Sequence, residues 1–331
     1  MTEVALLGAA HIHTPAFVKK LTERQDVKVK YVWDHDRPRA EKNAAALGAA
    51  VSDLDTILAD SAVRAAIVCS ETDRHEDLVL AAVRGGRHVF VEKPLGLGKA
   101  DAFRMAKAIE KAGVIFQTGY MRRGDPVHLF LKEQIAKGHF GRITRVRVSV
   151  CHAGSLKGWF DTDWRWMADP AQAGVGAFGD LGTHGLDALL WWFGEVTACT
   201  GQLSVVTIRY GNCDETGEAL IRFRSGVIAT LAAAWVDVAD PVTIQISGTE
   251  GQAALINGQL FYQSFKVEGA DGKRPWTQLP AALPHAFDLF LDALGGKTGL
   301  PLVPVREAAY ACQVMEAIYK GAQGNRWVEV R

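Results

Sequence analysis

The stretch VALLGAAHIHTP at residues 4–15 decides the fold of this chain. Its four apolar residues, Val4 to Leu7, predict a buried strand that ends at Gly8. Thr14 is a good N-cap and Pro15 suits the first helical position, so we predict a helix over 15–21. A strand, a tight turn and a capped helix form the start of a strand–helix–strand unit.

The same alternation continues along the first third of the chain. Further strands are predicted at 27–33, 65–69, 88–91 and 114–117, and helices at 37–47, 74–84 and 99–112. Strands separated by helices imply right-handed crossovers and a parallel sheet covered on both faces. We therefore predict a Rossmann-like first domain over residues 1–122, with ligands at the carboxyl ends of its strands.

Residues 123–331 follow a different pattern. Helices are predicted at 126–137, 285–294 and 305–320, and strands at 143–150, 205–208, 219–223, 227–236 and 242–246. Consecutive strands joined by turns such as Ser225-Gly226 predict a largely antiparallel, open sheet. The predicted fold class is α/β followed by α+β: a parallel N-terminal sheet and a C-terminal α+β domain.

Composition limits the classes of partner. The chain is 48% hydrophobic, and its 37 basic residues balance its 37 acidic ones. This balance gives no reason to expect nucleic acid or an anionic membrane as a partner. No secretory signal and no apolar run of roughly 18 residues is present, so we expect a cytoplasmic protein. The five cysteines lack zinc-ligand spacing and are expected to be buried thiols, and no metal is predicted.

The turn after the first strand matches a dinucleotide fingerprint only in part. The fingerprint places glycine at positions 8, 10 and 13, and only Gly8 is present. Backbone N–H groups from Ala10 to His13 can nevertheless face a pyrophosphate at the positive end of the helix. The alternative is an ordinary turn between a strand and a helix.

Asp34 closes the second predicted strand. A carboxylate there can accept hydrogen bonds from the adenosine ribose of NAD and repel the 2′-phosphate of NADP. Arg37 lies three residues further on and is a candidate for binding that phosphate. NAD is therefore the expected cofactor and NADP the alternative, while a solvated turn aspartate is the non-functional interpretation.

Glu92-Lys93-Pro94 follows the strand at 88–91. This placement delivers two charged side chains to the edge of the sheet where a ligand is expected. A lysine there can hydrogen-bond a substrate hydroxyl and relay its proton. A surface ion-pair loop is the alternative.

Asp180 and His184 are spaced i, i+4 at the start of a predicted helix. This spacing puts both side chains on one helix face, where a carboxylate can raise the basicity of an imidazole. Such a pair suits a general base near neutral pH, and an N-capping aspartate beside a packed histidine is the alternative. The glycine-rich run at 174–179 favours function, because it predicts close approach of a ligand to the backbone.

Taken together, these motifs resemble the glucose–fructose oxidoreductase/inositol dehydrogenase family of NAD(P)-dependent oxidoreductases, over nearly the whole chain. The resemblance rests on Glu92-Lys93-Pro94, Trp164-Arg165-Trp166 and Asp180 with His184. Residues 70–75 also look like the family's Thr-Pro-Asn-x-x-His stretch, although Glu71 stands where proline is usual. Gly119-Tyr120-Met121-Arg122-Arg123 looks like the Gly-Phe-Met-Arg-Arg segment of inositol dehydrogenases.

The resemblance implies roles for individual residues. Lys93 would be the catalytic lysine, His184 the proton acceptor, and Asp180 the neighbour that positions substrate and relays charge. The predicted cofactor-binding residues are Gly8, Ala10, His11, Ile12, Asp34, Arg37, Ser70, Thr72, His75, Glu92, Lys93, Trp164 and Arg165. The predicted substrate-binding residues are Lys93, Met121, Arg122, His152, Asp180, His184 and Trp235.

The predicted function is hydride transfer from a secondary alcohol of a sugar, inositol or related polyol to nicotinamide C4. One alternative is a redox-assisted glycosidase, which returns the hydride and leaves no net NADH. Another is a regulator that binds dinucleotide without turnover; the presence of Lys93, Asp180 and His184 argues against it. The resemblance also implies a homodimer or homotetramer, since an open antiparallel sheet needs its second face covered.

Overall fold

The computed structural model describes residues 1–330. Their helices are α1 (Thr14–Glu23), α2 (Arg37–Leu47), α3 (Leu54–Ala59), α4 (His75–Arg84), α5 (Lys99–Ala112), α6 (Pro126–Ala136), α7 (Pro170–Ala173), α8 (Ala177–Phe193), α9 (Ala286–Leu294) and α10 (Val305–Gly324). Their strands are β1 (Thr2–Leu7), β2 (Val27–Trp33), β3 (Ala50–Val51), β4 (Val63–Val68), β5 (His88–Val91), β6 (Phe116–Thr118), β7 (Ile143–Cys151), β8 (Val196–Ser204), β9 (Thr216–Phe223), β10 (Ile228–Ala234), β11 (Val242–Gly248), β12 (Gly251–Ile256), β13 (Gln259–Ser264), β14 (Asp271–Pro275) and β15 (Val328–Glu329).

The chain forms two compact units that are not contiguous in sequence. The first contains Met1–Tyr120, Asp161–Gly174 and Pro284–Cys312, and the second contains Met121–Phe160, Val175–Leu283 and the chain from Gln313 onward. The predicted break between residues 122 and 123 lies close to the first of these boundaries. The sequence did not predict that the segments Asp161–Gly174 and Pro284–Cys312 belong to the first unit, because no local pattern shows which part of the chain they pack against. Arg331, the last residue of the predicted second domain, lies outside the described residues.

A six-stranded parallel sheet forms the centre of the first unit. Its strand order is β3-β2-β1-β4-β5-β6, and β1 pairs in parallel with both β2 and β4. The residues Val4 to Leu7 of β1 are fully buried, as expected for a central strand covered on both faces. The predicted Rossmann-like sheet is therefore confirmed.

Helix ends in this unit follow capping rules with one correction. Asp36 caps α2 by accepting the Arg39 N–H at 2.9 Å, and Gly48 ends that helix in the left-handed conformation. Thr14 was predicted as the N-cap of α1, but the N-cap is His13 and Thr14 is already helical. Pro15 lies in the first turn, where its missing N–H costs nothing.

Aromatic side chains pack the helices α1 and α9 against this sheet. Phe17 of α1 stacks on Phe287 of α9 with ring centroids 4.5 Å apart, and Phe90 of β5 meets Phe287 edge-on at 4.9 Å. All three rings are at most 2% exposed. Burial of such rings contributes much of the stability of a core.

The second unit contains a nine-stranded sheet of order β14-β13-β12-β11-β7-β10-β9-β8-β15. Strands β7 and β10 pair in parallel, and the other pairings are antiparallel, which confirms a largely antiparallel sheet. The strand predicted at 205–208 is wrong. Its backbone N–H groups at Val206 and Thr207 donate instead to the buried Glu215 carboxylate at 2.7 and 2.5 Å, which holds this segment as a loop.

Helix α8 covers one face of this sheet. Ala229, Leu231 and Ala233 of β10 are fully buried, whereas the alternate residues Thr230 and Ala232 are half-buried. This alternation follows from the two-residue period of a strand. Within residues 1–330, none of the helices is both long and apolar enough to cross a membrane.

Candidate dinucleotide and proton-transfer sites

The turn after β1 requires glycine at position 8. Gly8 has a φ of +78°, and a Cβ there would lie 2.5 Å from Ser70 Cβ and 2.6 Å from Ser70 Cα. Position 8 therefore requires glycine, because its backbone is left-handed and because Ser70, which follows β4, lies too close for a side chain. Ser70, a predicted cofactor-binding residue, is itself fully buried against this turn.

The turn between β1 and α1 retains two backbone donors. His11 N–H donates to Cys69 O at 3.0 Å, and His13 N–H donates to His11 Nδ1 at 3.3 Å. Within residues 1–330, the N–H groups of Ala10 and Ile12 have no hydrogen-bond acceptor. Unsatisfied donors at the positive end of a helix fit an anionic group such as a pyrophosphate.

Two histidines surround the fully buried carboxylate of Glu92. His13 Nδ1 lies 3.1 Å from Glu92 Oε1, and His11 Nε2 lies 3.8 Å from Glu92 Oε2, which also accepts the Lys93 N–H at 2.8 Å. Burial opposes ionisation of Glu92, but the charges of His11, His13 and Lys93 outweigh it and hold the pKa of Glu92 well below its usual range.

The ligand atoms of His11, His13 and Glu92 all lie within 4.8 Å of one another, a spacing compatible with a metal ion. His11 Nδ1 also accepts the His13 N–H at 3.3 Å, and His11 Nε2 and His13 Nδ1 face the Glu92 carboxylate. The absence of a metal stays a prediction from the sequence.

Asp34 directly follows β2, and both of its carboxylate oxygens accept hydrogen bonds. It accepts the N–H groups of Ala9 at 2.8 Å and Asp36 at 2.9 Å, and Arg39 binds it through Nε and Nη2 at 2.7 Å each. Arg37, the predicted rival, is exposed and pairs with Glu41 at 2.7 Å. The arginine next to Asp34 is thus Arg39.

The stretch from Ser70 to His75 packs tightly after β4. Thr72 is 2% exposed and begins a 3-10 turn at Thr72–Arg74. His75 is fully buried, and its two ring nitrogens lie 3.2 Å from Leu95 O and 3.3 Å from Ser70 O. Burial lowers the pKa of His75. This histidine joins the chain after β4 to the chain after β5, where Lys93 lies.

Lys93 follows β5 at the carboxyl edge of the parallel sheet, as predicted, and is 2% exposed. The Trp164-Arg165-Trp166 segment belongs to the same unit. Trp166 Nε1 donates to Ala10 O at 3.0 Å, so this segment is attached to the turn after β1. Trp164 is half-buried and Arg165 is exposed.

In the second unit, a buried network fixes the start of α8. Asp214 accepts the Phe178 N–H at 2.8 Å and the Tyr319 hydroxyl at 2.9 Å, and that hydroxyl accepts the Gly179 N–H at 3.1 Å. Burial raises the pKa of Asp214 and also that of Tyr319. The network satisfies N–H groups that every helix start leaves without an intrahelical partner.

Asp180 and His184 lie one turn apart on α8, and each is 8% exposed. Trp235 Nε1 donates to Asp180 Oδ2 at 3.2 Å, and Trp235 is fully buried. Since α8 begins at Ala177, Asp180 does not open the helix as predicted. The carboxylate and the imidazole therefore share one fixed helix face.

The interpretation of the glycines at 174–179 as a ligand approach is wrong. A Cβ at Gly174 would lie 2.8 Å from Leu97, one at Gly176 would lie 2.6 Å from Asp214 Cγ, and one at Gly179 would overlap Val175. These glycines allow protein segments to pack closely on one another.

Of the other predicted substrate-binding residues, His152 and Trp235 directly follow β7 and β10, and Met121 and Arg122 lie in the 3-10 turn Met121–Gly124 before α6. Met121 is exposed and Arg122 is half-buried, with Arg122 Nη1 3.5 Å from His128 Nε2. Burial lowers the pKa of Arg122. His152 follows β7, and its Nδ1 accepts the Gly154 N–H at 2.9 Å. The structure keeps these side chains in the same unit as Asp180 and His184.

Several residues with clear roles were not predicted. Arg39 and Glu71 lie beside Asp34, and His13 contacts Glu92. The sequence carries a signal for two of them: Glu71 departs from the family's proline, and His13 stands at the third glycine of the fingerprint. Asp214 and Tyr319 carried no such signal, because they are far from α8 in sequence.

Comparison with known families identifies the chain as an oxidoreductase with an NAD-binding domain. A model described as "Oxidoreductase family, NAD-binding Rossmann fold" matches residues 2–120. A model described as "GFO/IDH/MocA C-terminal domain" matches residues 128–254. The chain belongs to the GFO/IDH/MocA oxidoreductase family, which confirms the resemblance, the enzyme class and the NAD cofactor.

Individual relatives act on sugars and inositols, according to their names. The 1,5-anhydro-D-fructose reductase of Ensifer adhaerens is 28% identical over 88% of this chain and 88% of its own. The scyllo-inositol 2-dehydrogenase (NAD(+)) of Bacillus subtilis (strain 168) is 26% identical over 81% of this chain and 77% of its own. Among solved structures, GenD2 from gentamicin A biosynthesis, in complex with NAD, is 26% identical, covers 99% of this chain and 96% of its own, and has a TM-score of 0.81.

Proposed function

We propose that this chain is a dehydrogenase that oxidises a secondary alcohol of a sugar, inositol or related polyol. Residues 1–122 bind NAD, and residues 123–331 bind the substrate and form the contact between subunits. Family membership and the names of the relatives support this proposal. The observation that carries it is the buried pair of Asp180 and His184 on one face of α8.

The residues after β1 fit the dinucleotide. Gly8 permits the tight turn, and the N–H groups of Ala10 and Ile12 provide donors for the pyrophosphate. We assign the adenosine ribose to the surroundings of Asp34, and the nicotinamide ribose to Thr72 and Glu92. When bound, NAD supplies the acceptor for the hydride.

Oxidation of a secondary alcohol releases one hydride and one proton, and a side chain of the protein must accept the proton. In our proposal Lys93 hydrogen-bonds the substrate hydroxyl, and His184 accepts its proton. Asp180 orients the substrate and stabilises the charged imidazole, while Trp235 fixes its carboxylate from the other side. General acid–base groups of this kind contribute about 10²–10⁴-fold to a rate.

A panel of inositols, aldoses, polyols and anhydrosugars tests this function. We expect at least one class to produce a net rise in nicotinamide absorbance with NAD. A redox-assisted glycosidase would cleave its substrate without a net rise. Tight NAD binding without turnover of any substrate would identify a non-catalytic dinucleotide-binding protein instead.

We also propose that the open face of the nine-stranded sheet contacts a second copy of the chain. Thr230 and Ala232 in the interior strand β10 are small and half-buried on this face, beside Arg147 and Glu218 of the neighbouring strands, which could form ion pairs with a second copy. We expect a dimer or tetramer in light scattering at micromolar concentration, and a smaller species for Ala232→Arg. A monomeric unmodified protein would contradict the proposal.

A further inference from the structure

We propose that Glu71 determines dinucleotide choice, because together with Asp34 it holds Arg39 between two carboxylates and makes the site of the adenosine ribose unfavourable for a 2′-phosphate. This inference rests on the proposed function only in that the first unit binds a dinucleotide. The identity of the substrate and the proton chemistry do not enter it.

Arg39 is fixed by two acidic residues from different strands. Its Nε and Nη2 bind Asp34 at 2.7 Å each, and Nη2 also donates to Glu71 Oε1 at 2.8 Å. The Asp34 side chain is 0% exposed, that of Glu71 is 5% exposed, and that of Arg39 is 18% exposed. Charges with so little water around them interact strongly.

The charges around this arginine leave no excess of positive charge. The two carboxylates of Asp34 and Glu71 balance the guanidinium groups of Arg39 and of Arg74, whose Nε lies 3.8 Å from Glu71 Oε2. His35 lies 3.3 Å from Asp34 and 3.6 Å from Glu71, on a half-exposed side chain. A phosphate monoester would add about 1.5 to 2 negative charges here.

Arg37 does not supply the missing positive charge. Its side chain is 69% exposed and forms an i, i+4 pair with Glu41, away from Asp34. If Glu71 were absent, Arg39 would be balanced by Asp34 alone, and the Nη2 N–H that Glu71 accepts would become available to a ligand, while the other Nη2 N–H stayed on Asp34. A guanidinium N–H made available in this way is well suited to bind a phosphate.

The burial of one oxygen of the Glu71 carboxylate costs free energy. Its Oε2 is buried and accepts no hydrogen bond from residues 1–330. The backbone of Glu71, with φ −59° and ψ 147°, would accept the proline that the family resemblance places there. A charged residue at a position suited to proline, with one oxygen unsatisfied, indicates a role in ligand selection.

Fluorescence titration with NADH and NADPH tests the inference in the full-length protein. We expect the unmodified protein to bind NADH at least about tenfold more tightly, or roughly 1.4 kcal/mol. Glu71→Gln keeps an acceptor for Arg39 but removes the charge, and Glu71→Pro removes the side chain on a compatible backbone. Both should reduce the NADH preference about tenfold, mainly by strengthening NADPH binding. Asp34→Ser should also reduce it, whereas the control Arg37→Ala should leave it unchanged.

Melting temperatures measured alongside show whether each variant is folded. An unchanged preference in folded Glu71→Gln and Glu71→Pro would overturn the inference and leave Glu71 a purely structural residue. Tighter binding of NADPH than NADH by the unmodified protein would also overturn it, since Arg39 would then act as a phosphate ligand. Failure of the unmodified protein to bind either dinucleotide would refute the proposed function itself.

Discussion

Replacing Lys93 by alanine is expected to lower turnover by about 10²–10⁴-fold, the usual contribution of a general acid–base group. Lys93 follows β5 at the edge of the sheet where ligands bind, and it is 2% exposed. Lys93→Met keeps most of the buried stem and should lose as much activity. Steady-state turnover on the best substrate of the panel, together with the dissociation constant for NADH, measures the effect.

His184→Ala should give a similar loss of turnover with NADH binding largely intact, because His184 lies outside the unit that contains the NAD-binding Rossmann fold. Lys107→Ala is a matched control, since Lys107 is exposed on α5 of the same unit as Lys93. Near-normal turnover in either the Lys93 or the His184 variant would remove that residue from the proposed proton transfer.

The parallel sheet of the first unit was predictable because its signals are local. The strands are short runs rich in apolar residues and the helices lie between them, so β2, α2, β5 and α5 begin and end as predicted. β3 and α3 were not predicted. β3 has two residues, which is too short to produce a recognisable pattern.

The second unit was predicted less completely, for a physical reason. β12, β13 and β14 are joined by short turns and have mixed exposure, so their apolar alternation is weak. The segment at 205–208 has β-branched residues and looks like a strand. The buried carboxylate of Glu215, which follows Val206 and Thr207 by nine and eight residues, accepts their backbone N–H groups instead, and the apolar pattern of the segment does not show this.

In the candidate sites, too, residues marked by a local pattern were predicted and contacts between distant residues were not. Lys93, Asp180 and His184 could be predicted as candidates because strand ends and helical spacing place them. Arg37 was predicted as the arginine that could bind a 2′-phosphate near Asp34, yet the arginine that binds Asp34 is Arg39. The choice depends on the start of α2: Asp36 caps the helix through the Arg39 N–H, which fixes the arginine's direction in a way that spacing alone does not show.

Asp187→Ala is expected to reduce the free energy of unfolding by about 3–5 kcal/mol, the range for breaking a buried ion pair. Asp187 lies on α8 and is 2% exposed. Its carboxylate accepts from Arg123 Nε at 3.0 and 3.1 Å and from Arg123 Nη2 at 2.6 Å. The variant removes the carboxylate while the arginine, only 11% exposed, keeps its charge. Urea unfolding followed by tryptophan fluorescence measures the loss.

An exposed ion pair in the same unit provides the control for this measurement. Glu195 and Arg224 lie 2.7 Å apart but are 65% and 73% exposed, so Glu195→Ala should cost at most about 1 kcal/mol. Equal losses for the two variants would mean that burial does not strengthen the Arg123–Asp187 pair. A large loss for Asp187→Ala alone would show that this pair holds α8 in place. Because Asp180 and His184 lie on that helix, Asp187→Asn, which keeps the side-chain shape, should then retain more turnover than Asp187→Ala.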